Sequence, residues 1–196
     1  MRVADPRKPF EKMAIDLMGP YPITAKRSTH LLVIIDTCTG WTEIFPIGQH
    51  GAKLTKTKRI CELALKVFCT FGFPRIIISD NGPEFANEIW TGVMGLLGIN
   101  YVFTSPYHPE ANPTERKNRD IKYYIKKYLT SDKHKQWDLH LNEMLFTIRT
   151  TKNKSTGFTP ARLIFGKELT VPEDLVLLKP DYKIKIYWII LNTQNK

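Results

Sequence analysis

At 196 residues with 42% hydrophobic content, the chain is long enough to bury a core of its own, which excludes wholesale disorder and fits one domain plus a tail. Its formal charge of +10 and isoelectric point near 9.5 point to a polyanionic partner, although the same charge suits ribosomal and membrane-surface proteins and names no reaction. No basic leader precedes an apolar segment, and the late apolar run Ile186 to Leu191 is too short to span a bilayer, so a soluble, non-secreted protein with no membrane partner is expected.

In chain order, Met13 to Met18, His30 to Asp36 and Trp41 to Ile47 are short runs rich in β-branched and aromatic residues, separated by turn-forming segments, and the last two are expected to form an antiparallel hairpin. From Lys53 to Phe71 apolar residues recur at three- and four-residue spacing, which predicts an amphipathic helix ended by Gly72 and Pro74. A strand at Arg75 to Ser79, a helix near Asn87 to Leu97 ended by Gly98, and a strand at Ile99 to Phe103 follow. Two prolines without periodicity make Thr104 to Asn112 a loop; a long basic helix comes next, then another helix from about Gln136 to Thr151. Five strands with helices between the later ones predict an α/β fold, a mixed sheet covered on both faces.

Three acids stand out against this frame. Asp16 and Asp80 close apolar β-type runs, and Glu115 opens the basic helix. Carboxylates gathered at strand ends repel one another, so they call either for raised pKa values or for a hard divalent cation held through oxygen, and the cation is the better account. Glu115 has a plainer role available. Asn112 suits an N-cap, Pro113 the first helical position and Glu115 the third, a capping-box layout. The two distant aspartates are what give Glu115 a second reading as a ligand.

Four segments then carry a resemblance: Phe10 to Pro22 around Asp16, Phe71 to Phe85 around Asp80, Tyr107 to Arg119 around Glu115, and Thr156 to Ala161. Together they resemble the catalytic core of integrases of retroviruses and long-terminal-repeat retrotransposons, especially gypsy-like elements, over about Arg7 to Leu175. The resemblance implies a ribonuclease-H-like fold and an integrase-type polynucleotidyl transferase and endonuclease. It would trim the 3′ ends of element DNA and join them to host DNA in the nucleus, after a cytoplasmic phase. Asp16, Asp80 and Glu115 map onto the family's catalytic acids and would hold two Mg²⁺ or Mn²⁺ ions. Double-stranded DNA, both element ends and host target, is the implied partner, together with a homodimer or higher multimer. One departure concerns Glu115: 34 residues separate it from Asp80, one fewer than the commoner family spacing, and Asn112-Pro113 capping favours absorbing the change in the loop.

The helix after Glu115 supplies the expected DNA surface. From Arg116 to Lys135 there are eight Lys or Arg against two Asp, and Glu115, Asn118, Arg119, Lys122 and Lys126 recur on one face. The resemblance directs Asn118, Arg119 and Lys122 toward the element's DNA end, while for any single lysine a solvated surface is the commoner role. Tyr107, with His108, is placed either to stack on DNA or to pack against strand ends. Lys53, Lys56, Lys58 and Arg59 form a weaker basic patch. Asp36, Glu43, Glu84 and Glu110 are read as turn caps or surface charges, and Trp41, Phe45, Trp90 and Trp137 as core or dimer-interface aromatics. Cys38, Cys61 and Cys69, odd in number and without C-x-x-C spacing, are read as reduced core thiols.

Residues 1–175 are thus expected to form the core and 176–196 an unassigned C-terminal tail. With only 15 residues ahead of Asp16, no room remains for the family's zinc module, so a lone core or a fragment of a Pol polyprotein is expected. Two other functions fit in part: a decayed or domesticated core that binds nucleic acid without catalysis, and a ribonuclease H.

Overall fold

The computed structural model describes residues 8–48, 56–104, 135–154 and 156–171. Its sheet has five strands: β1 (Lys12–Met18), β2 (Ser28–Asp36), β3 (Thr42–Gly48), β4 (Ile76–Ser79) and β5 (Asn100–Phe103), in the order β3-β2-β1-β4-β5. The first three are antiparallel neighbours, whereas β4 pairs parallel with β1 and β5 parallel with β4, so the sheet is mixed as expected. The hairpin of β2 and β3 turns at residues 37–41.

Pleating sends alternate side chains to opposite faces, and both faces are apolar. Met13, Ile15, Leu32, Ile34, Ile47 and Ile77 pack on one face against α1 (Lys56–Phe71) and α2 (Glu88–Leu96). Met18, Leu31, Val33, Ile35 and Ile44 pack on the other face with Trp137 and α3 (Leu141–Thr150). The near-continuous apolar text of β2 follows from burial on both sides. α1 buries Thr57, Ile60, Cys61, Leu63, Ala64, Val67 and Phe68, the stripe its spacing predicts, and stops at Gly72, whose φ of 101° few other residues adopt. α2 starts at Asn87, whose side chain accepts a hydrogen bond from the Trp90 N–H.

Three local expectations need correction. The helix expected from Gln136 begins instead as a 3₁₀ turn, Trp137–His140, before α3. Gln136 makes no side-chain cap there; the turn is anchored by Trp137 Nε1 on the Pro22 carbonyl and by Thr24 Oγ1 on Asp138. A short helix, α4 (Pro160–Phe165), was not expected, although Thr159 caps it and Pro160 opens it. Cys69 is exposed, unlike buried Cys61, because it follows Phe68 onto the outer side of α1. Trp41, Trp90 and Trp137 are core residues, and Phe45 is partly buried. Among the described residues no helix is long and apolar enough to cross a membrane.

Glu43 and Arg149 join β3 to α3. The Arg149 guanidinium lies 2.6 Å from Glu43, donates twice to the Thr42 carbonyl and sits 4.3 Å over the Trp41 ring. Each side chain of the pair is only 19% exposed, so solvent screens it little. Arg149→Ala should therefore cost about 2–3 kcal/mol by urea unfolding, through lost charged hydrogen bonds and stacking, and Glu43→Gln about 1–2 kcal/mol. Equal costs would mean that neither the Trp41 stack nor the Thr42 hydrogen bonds add to the ion pair.

Candidate active site

Asp16 comes near the end of the central strand. β1 and β4 run parallel with Lys12 against Ile76, Met13 against Ile77 and Ala14 against Ile78. Asp16 lies two residues beyond Ala14 on β1, and Asp80 directly follows Ser79, the last residue of β4. Neighbouring strands lie about 4.8 Å apart. The pleat that turns Met13, Ile15 and Ile77 toward α1 turns Ala14, Asp16 and Ile78 to the other face. Two acids 64 positions apart in sequence are thus brought to the same end of neighbouring parallel strands.

The segment after β4 folds back on itself. Gly82 N–H donates to Asp80 Oδ1 at 3.2 Å, and the Phe85 and Ala86 N–H groups return to the Gly82 carbonyl at 2.9 and 2.8 Å. Gly82 is needed for space: a Cβ there would lie 3.1 Å from Asp80 Oδ1 and 3.3 Å from Glu84 Oε2. Glu84 itself pairs with Lys56 at 3.7 Å. Lys56 Nζ also lies 3.4 Å from His30 Nε2, and an ammonium can only donate, so that nitrogen accepts and Nδ1 carries the proton toward Thr29 Oγ1 at 2.9 Å. Burial, then the Lys56 charge, pulls the His30 pKa down, with Glu84 opposing.

Two tyrosines flank the acids. Gly19, at φ 141°, passes so close to β2 that a Cβ would meet the Thr29 carbonyl at 2.8 Å; Tyr21 then donates its N–H to that carbonyl and packs on the α3-side core. Burial pushes the Tyr21 phenol up, and the negative charge of Asp16 pushes it further. Tyr101 on β5 is likewise pushed up by burial; the Ser79 hydroxyl and the nearby Trp90 N–H work against this, and Asp80 adds to it. The Trp90 N–H reaches no partner at hydrogen-bond geometry, yet it is close enough to favour the phenolate.

Asp36 does not belong to this group. It pairs in register with Met13, three residues back along β1 from Asp16, and its carboxylate accepts from Phe10 N, Cys38 N, Thr39 N and Thr39 Oγ1. It is a turn cap, as expected. Glu115, Tyr107, Asn118, Arg119, Lys122 and Lys126 lie outside the described residues, as do Lys53 and Glu110. Among the described residues no group of three or more His, Cys, Asp or Glu side chains is arranged to hold a metal; Asp16 and Asp80 are two.

Residues 6–109 match the family described as the integrase core domain. The chain belongs to that family. It is 37% identical over 138 residues to the Gag-Pol polyprotein of baboon endogenous virus, covering 70% of the chain and 8% of that polyprotein. It is 32% identical over 173 residues to the Pro-Pol polyprotein of simian foamy virus type 3, covering 88% of the chain and 14% of that polyprotein. The chain therefore spans a small part of these viral relatives. Among solved structures, it superposes on a chain of the simian T-cell lymphotropic virus intasome in complex with PP2A regulatory subunit B56 gamma with a TM-score of 0.68 at 22% identity, covering 87% of this chain and 59% of that one. It superposes on the HTLV-2 integrase catalytic core domain in complex with magnesium, trimeric form, with a TM-score of 0.60 at 22% identity, covering 79% and 96%. The fold is the ribonuclease-H-like fold of integrase cores.

Tyr21, Ser79, Tyr101 and the His30–Lys56–Glu84 chain have no part in the site as read from the sequence, because each takes its place from contacts between segments distant in sequence. Asp16→Asn should lower the pKa of Tyr21, read by ultraviolet titration of the phenol; an unmoved Tyr21 would separate the two groups. Both phenols titrate higher folded than unfolded, so the unfolded chain loses these protons first. Stability is then full below about pH 10 and falls as pH rises above it, and Tyr21→Phe should lessen that fall.

Proposed function

We propose that this chain is the catalytic core of an integrase that joins element DNA to host DNA, with Asp16, Asp80 and Glu115 as its catalytic and metal-binding acids. What supports the reading is the parallel pairing of β1 with β4, which leaves Asp16 and Asp80 at the same end of neighbouring strands. Two carboxylates near the ends of neighbouring strands are the hard oxygen donors that a divalent cation prefers, so their chemistry fits Mg²⁺ or Mn²⁺. Two such ions, when bound, would supply Lewis-acid polarisation of a phosphodiester and neutralise its developing charge.

The chain's own residues do the rest by positioning. Asp16, Asp80 and Glu115 would hold the ions. The turn at Gly82 restrains one oxygen of Asp80 and so limits the directions in which its carboxylate can act. Asn118, Arg119, Lys122 and Lys126 would hold the phosphates of an element end, and Tyr107 would stack on a base beside it. In 3′ processing a water attacks the phosphodiester in line and the 3′ oxygen leaves with a proton; in strand transfer that 3′-hydroxyl loses its proton as it attacks a target phosphodiester, whose own 3′ oxygen leaves and takes up a proton. Neither step needs a covalent protein intermediate.

The proposal extends to residues 1–175 as the core, with 176–196 as a tail, within a Pol polyprotein acting in the nucleus after a cytoplasmic phase. A multimer built on a core dimer is part of it; related cores of HTLV-2 are described in dimeric and trimeric forms. The family match favours this reading over a ribonuclease H.

Asp16→Asn, Asp80→Asn and Glu115→Gln should each abolish Mg²⁺-dependent cutting of an element-end duplex while leaving duplex affinity unchanged or higher. Glu115→Gln with full cleavage would return that residue to capping its own helix. Arg119→Ala and Lys122→Ala should weaken duplex binding and reduce its salt slope by up to about 1 per lost phosphate contact, with metal affinity intact. A slope unchanged in both would remove them from the DNA surface.

A further inference from the structure

We infer that Tyr101 is a positioning residue for Asp80, acting through Ser79, an inference that rests on the two-carboxylate reading of the site. Ser79 ends β4 immediately before Asp80 and is 2% exposed. Tyr101 pairs in register with Ile77, which sets it diagonal to Ser79 on the same face. Its Oη lies 2.5 Å from Ser79 Oγ, and Ser79 Oγ donates to the Asp80 carbonyl at 2.6 Å.

The direction of this relay follows from proton count. A carbonyl only accepts, so the single serine proton goes to Asp80, and the phenol must donate to Ser79 Oγ. The same phenol lies 3.4 Å from the Phe85 carbonyl, so one hydroxyl ties the start of the 80–85 turn and reaches its end. Thr104 holds the strand end as well, its N–H and Oγ1 donating to the Ser79 carbonyl at 2.8 and 3.1 Å. Ring contacts of Tyr101 with Trp90 and Phe103 fix the phenol and do not need its hydroxyl. A tyrosine present only for packing has no reason to aim its hydroxyl at this buried serine. The backbone at Asp80 sets the direction of its carboxylate, and sites of this kind tolerate little angular freedom.

The test uses the full chain and Mn²⁺ alone, with affinity read by calorimetry. Tyr101→Phe keeps the ring and removes the relay's first donor, and should weaken Mn²⁺ binding by about five- to tenfold, the scale of one lost hydrogen bond, with duplex affinity in the absence of divalent ions unchanged. Ser79→Ala breaks the same relay from its other end, serves if Tyr101→Phe does not fold, and should give a similar loss. The double variant should be no weaker than the weaker single one, because both remove one relay. Tyr101→Phe binding Mn²⁺ as tightly as the unaltered chain, or two losses that simply add, would overturn the positioning role and leave the two acids in place. An unaltered chain that binds no Mn²⁺ would overturn the reading of the site and this inference with it.

Discussion

The site depends on the register between β1 and β4, and that register is held by apolar side chains. Met13, Ile15 and Ile77 must face α1 and α2 together, because a one-residue slip of either strand would turn its whole apolar set to the other side. The same slip would drive Asp16 into the core against α1. Core packing and carboxylate placement are therefore one constraint, and a chain that buries its sheet correctly has no separate choice about where its two aspartates go.

Charge is then sorted locally. Asp36 is taken up by backbone N–H groups at the β2–β3 turn, Glu43 by Arg149, and Glu84 by Lys56. Each of these three acids has a partner of its own near the strand ends. Neutral His30 fits this arrangement, since a second cation beside Lys56 would be repelled. The arrangement is what a site that concentrates negative charge at one place needs around it.

Much of this was legible in the sequence, for identifiable reasons. The strands and α1 announce themselves through periods of two and of three to four residues, and Asp16 and Asp80 through their position at the ends of apolar runs. The start of α3 was misread because Trp137 and Asp138 are held by Pro22 and Thr24, over a hundred positions away, which no local window contains. The α4 helix carried its signal in Thr159-Pro160 but is only six residues long. Tyr101 escaped notice for the same reason as Trp137: its role is a pairing with Ser79 across strands, whereas Asn87 capping α2 is written within four residues.

The strand order also makes the central pairing a long-range one. The hairpin of β2 and β3 closes over a few residues, but Glu11 and Arg75, which flank the β1–β4 seam, are 64 positions apart. Closing a loop of that length costs chain entropy that a local hairpin does not. The contacts of β4 with β1, where Ile77 is buried and Ile76 and Ile78 partly so, offset part of that cost.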